Sequence, residues 1–312
     1  MALWLVLAIW PTRGHAGGDD AAAKLGLAVS PGGLLLQEIV PGESYDLAER
    51  AGVLLTVHNR DSRDHTYALS THRPSEVANR RLPPGYADIP DPSWLWFEHD
   101  EVVVPARGST EVKMYLKIPH HERHYNQHWS VSVGVCGRRE EGETLTLAAY
   151  PRFEVETAAA PRSELRLRPA GGLAFAPSVL ELGLSPGSTQ TGEVIICNNE
   201  RRKHWYRFTV APRGEPREGV RLFPTGGYDW LPNLDWINVL RPRRRSPYPV
   251  WSASDWPVLW LGGRRYLGVK ISLNIPEGVV LPERGWETVV FVERDDGVTG
   301  FFRVRACVPE QS

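Results

Sequence analysis

The chain has 312 residues, long enough for two domains of ordinary size, each with its own core. Its 36 Lys and Arg stand against 37 Asp and Glu, and hydrophobic residues make up 42%. This balance disfavours intrinsic disorder and a general polyanion-binding role, so no nucleic-acid partner is expected. The only lysines are Lys24, Lys113, Lys117, Lys203 and Lys270, which leaves few candidates for amine chemistry.

Residues 1–16 hold an apolar run, Ala2 to Trp10, then Pro11 and the small-residue ending Gly14-His15-Ala16. That is the pattern of a signal peptide, although a positive leading region is missing. At about ten residues the run is too short to span a bilayer. The expectation is an exported chain, periplasmic or secreted, with no transmembrane segment after Gly17.

An internal duplication follows. Val53 to Asn59, then Arg63, His65 and Tyr67, align without gaps on Gly192 to Asn198, Arg202, His204 and Tyr206 at an offset of 139. Upstream, Leu27 to Pro31 matches Leu173 to Pro177, and Pro41-Gly42 matches Pro186-Gly187. Downstream, Tyr86, Pro90 and Trp94 match Tyr228, Pro232 and Trp236 at offset 142. Val112 to Pro119 with Trp129 matches Val269 to Pro276 with Trp286 at offset 157.

Each copy reads as β structure. Val53, Leu55 and Val57, then Val131, Val133 and Val135, then Phe302, Val304 and Ala306 alternate with other residues in the period of half-buried antiparallel strands. Turn signals at Pro41-Gly42, Arg107-Gly108, Glu141-Gly142, Pro186-Gly187 and Asp296-Gly297 separate them. The pattern predicts an all-β chain of two tandem immunoglobulin-like antiparallel β-sandwich domains, over residues 24–157 and 164–310. Ala158-Ala-Ala-Pro161 places a linker at 158–163, and the second domain carries an Arg/Trp-rich insertion at 241–260.

Phe175-x-Pro177-x-x-Leu180-x-Leu182-Gly183, a Pro-Gly turn and apolar alternation ending at Asn198-Asn199 resemble the opening strands of PapD-like and major-sperm-protein-like immunoglobulin folds. Val29, Pro31, Pro41-Gly42 and Asn59 give a looser copy. The resemblance implies a fold whose members mostly bind other proteins through sheet edges and end loops, and it carries no catalytic residues over. Leu145, Leu147, Ala149, Phe153 and Val155 read as a last strand of copy one whose edge could be lent to a partner sheet. The repeated Asn59 and Asn198 are expected to hold turns, and Trp129 and Trp286 to pack between sheets.

Two segments depart from the shared pattern. His120, His121, His124 and His128, with Glu122, fall within nine residues and could ligate zinc or another transition metal; otherwise the chain calls for no cofactor. Their spacing matches no standard zinc site, and copy two has no histidine there. Arg243, Arg244, Arg245, Trp251, Trp256, Trp260, Arg264 and Arg265, together with Tyr125, are the candidate partner-binding residues, because arginine and tryptophan are enriched at binding hot spots.

Gly183-Leu-Ser185-Pro-Gly187 matches a hydrolase elbow in letters only, since it is a strand-to-strand turn. Cys136, Cys197 and Cys307 fit neither a disulfide framework nor a CxxC site. Strand parity points Cys197 and Cys307 to outer faces, against a bridge between them. The composite expectation is a non-enzymatic envelope or extracellular module with a protein partner, the alternatives being a pilus-chaperone-like protein, a glycan-binding module and, last, a metal-dependent enzyme.

Overall fold

The computed structural model describes residues 26–78, 81–138, 147–160, 173–184, 186–210, 222–240, 258–263 and 265–308. The signal-peptide reading at 1–16 therefore lies outside the described residues. The chain divides into two compact units. Residues up to Leu82, Tyr86–His120 and His128–Glu156 make the first; Pro83–Gly85, His121–Gln127 and the residues from Thr157 make the second. Each is an immunoglobulin-like β-sandwich built on the same strand plan.

In chain order the first unit has β1 (Leu27–Ser30), β2 (Gly33–Ile39), β3 (Ser44–Asp46), α1 (Leu47–Ala51), β4 (Leu55–Asn59), β5 (His65–His72), β6 (Ala87–Asp88), β7 (Leu95–Phe97), β8 (Glu101–Val104), β9 (Ser109–Val112), β10 (Met114–Lys117), β11 (His128–Gly137), β12 (Ala148–Ala149) and β13 (Arg152–Thr157). One layer holds two short sheets, β1-β4-β9 and β3-β10-β7. The other runs β2-β13-β11-β5-β8, with β6 and β12 beside β11. Leu55, Val57, Val131, Val133, Val135 and Phe153 meet in one buried cluster between the layers, as the period-2 alternation requires.

The second unit has β14 (Leu173–Ala176), β15 (Val179–Gly183), β16 (Thr189–Asn198), β17 (His204–Val210), β18 (Asp229–Trp230), β19 (Ile237–Leu240), β20 (Val258–Leu261), β21 (Tyr266–Asn274), β22 (Gly285–Arg294) and β23 (Thr299–Cys307). Its sheets run β14-β16-β21-β19 and β15-β23-β22-β17-β20, with β18 beside β22. The shared Pro31 and Pro177, each after a cis peptide bond, stand where the chain crosses from one sheet to the other. That crossing makes β15 run parallel to β23, a departure from purely antiparallel pairing that local alternation does not encode.

The copies differ most where α1 interrupts copy one. Asp46 caps it, accepting from the N–H groups of Ala48 and Glu49 at 2.9 and 3.2 Å, and Gly52 closes it in the left-handed region at φ 66°. Copy two runs straight through as β16. The inserted turn accounts for the fall in offset between the Pro-Gly turn and the asparagine.

Repeated residues do the same work twice. Asn59 donates to the carbonyls of Arg63, Val104 and Pro105 at 2.6, 3.1 and 3.2 Å and accepts from the Asp61 N–H. Asn198 donates to those of Arg202, Leu261 and Gly262 at 2.7, 3.3 and 3.2 Å and accepts from the Glu200 N–H. Each amide therefore ties its own turn to a neighbouring strand end. Asn198→Ala is expected to cost about 1–3 kcal/mol of stability in chemical denaturation, because it strands buried carbonyls. Asn198→Asp should do no better, since a carboxylate cannot donate. Trp94 packs on Trp129 at 5.6 Å and 58°, and Trp236 on Trp286 at 5.5 Å and 59°. Tyr86 donates to Glu156 at 2.8 Å, and the Tyr228 hydroxyl lies 3.5 Å from Cys307 Sγ, each fixing its loop to the last strand of its copy.

One strand reading needs correction. Phe153 and Val155 do not lie on an edge: β13 sits between β2 and β11, and both side chains are buried in the core. Of the upstream residues read into the same strand, Leu145 lies outside the described residues and Ala149 falls in the separate β12. Cys197 points away from the main core as parity requires, yet it is buried with Ala174 and Ile195. The three cysteines are free thiols.

On the outer face of β22 and β23 the charges are buried. Glu287 and Arg303 have no exposed surface and Arg305 only 4%. Glu287 accepts from Arg303, from Arg305 Nε at 2.8 Å, and from the Thr225 N–H and hydroxyl at 3.0 and 2.8 Å. Arg303 also donates to the Phe223 carbonyl, and Arg305 to the Thr225 hydroxyl. This network holds the segment before β18 down on the sheet.

Candidate functional site

β20 ends its sheet, paired on one side to β17. Trp205 and Trp260 face each other across that pair, with ring centroids 6.4 Å apart and planes at 59°. Both point away from the core, because His204 and Tyr206 take the inward positions of β17 and Leu259 and Leu261 those of β20. Trp260 stays 40% exposed, with the Lys203 ammonium 5.1 Å from its ring. Arg201, Arg202 and Arg207 are exposed around the pair. The edge thus combines apolar area, an unpaired strand side among the described residues, and positive charge.

Copy one supplies an internal control. At the equivalent positions of β5 and β8 it pairs Thr66 with Val103, the latter 62% exposed. The sandwich therefore forms without aromatic residues at this place. Two tryptophans there in copy two are not a demand of the shared fold.

Of the candidates drawn from the sequence, Trp260 falls on this edge. Arg265 is exposed at the start of β21. Arg243, Arg244, Arg245, Trp251, Trp256 and Arg264 lie outside the described residues. Tyr125 is half-buried, its carbonyl taking a hydrogen bond from the Gln127 side chain at 2.9 Å. The sequence reading missed Trp205 and Lys203. The signal was available, because Trp205 aligns on Thr66 without a gap.

The four histidines divide. His121 and His124 have rings 5.5 Å apart. His121 Nδ1 accepts from the Arg123 N–H, and His124 is buried with its Nε2 accepting from Arg123 Nε at 3.3 Å. His120 is exposed beside Gly42, and His128 begins β11 with its ring 5.9 Å from Tyr86. Of the four, His121 and His124 are brought together.

No family model and no curated protein matches the chain. Solved structures do. The chain is similar to a protein of unknown function from Porphyromonas gingivalis, at 14% identity and a TM-score of 0.33, covering 91% of this chain and 100% of that one. It is similar to the E. coli chaperone DraB at 10% identity and a TM-score of 0.29, covering 90% and 98%. It is also similar to an MSP family member of C. elegans at 6% identity and a TM-score of 0.25, covering 43% and 98%. No helix among the described residues is long and apolar enough to cross a membrane.

Proposed function

We propose that the chain is a non-enzymatic, exported module of the cell envelope that engages another protein through the outer edge of its second sandwich. The carrying observation is the Trp205–Trp260 pair on an edge strand where copy one has Thr66 and Val103. An edge strand offers a row of N–H and C=O groups to an added strand, and tryptophan supplies large apolar contact at little conformational cost. The surrounding Arg201, Arg202, Lys203 and Arg207 favour a partner segment that carries acidic residues. Export is supported by the apolar opening of the sequence, as is a periplasmic or cell-surface location. The chaperone-like alternative loses its first support, since β13 is flanked on both sides.

The test is a pull-down from the source cells with the mature chain and a variant in which Trp205→Thr and Trp260→Val install the copy-one residues. The expected outcome is one specific protein retained by the native chain and about tenfold less by the variant. Equal retention by both would remove this surface from the account.

A further inference from the structure

A second feature of copy two is independent of that edge: a cluster at the end of the sandwich where the Asn198 turn meets the hairpin between β22 and β23. We propose that Glu200, His204 and Asp296 form a divalent-metal site suited to Zn²⁺, with Asp295 orienting the imidazole. Among the described residues they are the group of His, Cys, Asp or Glu whose three ligand atoms all lie within 4.8 Å of one another. The β17–β22 ladder brings them together, Tyr206 standing opposite Arg294, so His204 and the hairpin acids converge from two strand ends.

The imidazole geometry points to a cation. His204 Nδ1 lies 2.7 Å from Asp295 Oδ1, while Nε2 faces Glu200 Oε2 at 3.3 Å. With Nδ1 engaged by Asp295, Nε2 is the ring atom that faces Glu200, on the side where a metal would be held. A carboxylate on one ring nitrogen and a metal on the other is the arrangement by which proteins fix the tautomer of a ligating histidine. In tetrahedral Zn²⁺ coordination two ligand atoms are separated by about 3.4 Å, which the Nε2 to Oε2 distance already matches. Asp296, exposed on the hairpin, offers the third ligand atom within 4.8 Å of the other two.

Charge balance gives the same answer. Three carboxylates, Glu200, Asp295 and Asp296, surround one guanidinium. Arg294 donates to both oxygens of Asp296 at 2.7 Å and to Glu200 Oε1 at 2.7 Å. Carboxylates thus outnumber guanidinium groups in the cluster, a donor set that suits a divalent cation. Arg294 Nη1 and the Tyr206 hydroxyl are, in addition, buried polar atoms with no hydrogen-bond partner. Tyr206 has no exposed surface and stands opposite Arg294, two residues along β17 from His204. A buried hydroxyl without a hydrogen-bond partner at that position is a natural partner for a metal-bound water.

Copy one lacks the site. Its His65 pairs with Asp61 at 2.9 Å, but the positions equivalent to Asp295 and Asp296 are Arg138 and Arg139.

The test uses the full chain stripped of metal with a chelator, then titrated with Zn²⁺ calorimetrically and with Co²⁺ by visible absorption. The expected result is one ion per chain. Asp296→Asn and His204→Asn should each weaken binding about tenfold or more. Asp295→Asn, which removes no ligand, should weaken it about 10–100-fold and alter the Co²⁺ spectrum. His121→Asn with His124→Asn should leave binding unchanged. Asp296 is exposed, and an unchanged denaturation midpoint verifies that its variant is folded. Absence of saturable uptake would overturn the proposal. Uptake that survives Asp296→Asn and disappears with the His121 and His124 changes would overturn it equally.

Discussion

Replacing Glu287 by alanine is expected to cost the second unit about 3–5 kcal/mol. The carboxylate has no exposed surface and is the shared acceptor of Arg303, Arg305 and Thr225. Without it, Arg303 and Arg305 lose the buried carboxylate they share, and Arg305 keeps an ion pair with the exposed Glu181 at 3.4 Å. Removing one partner of a buried ion network costs far more than the network itself contributes. The contrast therefore lies in a joint replacement, Glu287→Leu with Arg303→Met and Arg305→Leu. That triple change should recover most of the lost stability if its volumes fit. Denaturant titration of both variants measures the difference, and a loss below about 1 kcal/mol for Glu287→Ala would show the network to be well hydrated.

Trp286→Ala and Trp129→Ala are the second pair of large effects. Each indole is 5% exposed and packed obliquely on a tryptophan that ends an upstream 3-10 turn, Trp236 of Leu234–Trp236 in one copy and Trp94 of Pro92–Trp94 in the other. Deleting a buried tryptophan costs about 3–5 kcal/mol through lost transfer energy and the cavity left behind. Because the surroundings are repeated, the two substitutions should have similar magnitudes and act on different units. Monitoring unfolding with probes in each unit tests this: Trp286→Ala should lower the transition of the second unit and leave the first nearly unmoved. A common shift in both would show that the units unfold as one.

What the sequence revealed followed from the duplication. Asn59 with Asn198, Trp129 with Trp286 and Tyr86 with Tyr228 could be picked out because each recurs, and their local roles, a turn held or an indole between sheets, follow from residue chemistry. What it concealed was tertiary. Arg303 and Arg305 have the parity of outward residues, yet the segment around Phe223 and Thr225 closes over them. Only five residues long, α1 has no periodicity to betray it and left its trace solely as a change in repeat offset. Asp296-Gly297 was readable as a hairpin turn, with Gly297 at φ 86°. The approach of His204 to that hairpin depends on strand pairing 91 residues apart. The edge tryptophans were half legible: Trp260 stood out by composition, whereas Trp205 emerges only when the copies are compared position by position.

The central claim, that the second sandwich meets its partner along β17 and β20, is tested most directly by hydrogen–deuterium exchange on the chain alone and bound to the captured protein. The account predicts added protection in Val258–Leu261 and His204–Val210 and none in the equivalent β5 and β8 of copy one. Protection that falls on copy one, or on the opposite sheet of copy two, would contradict it.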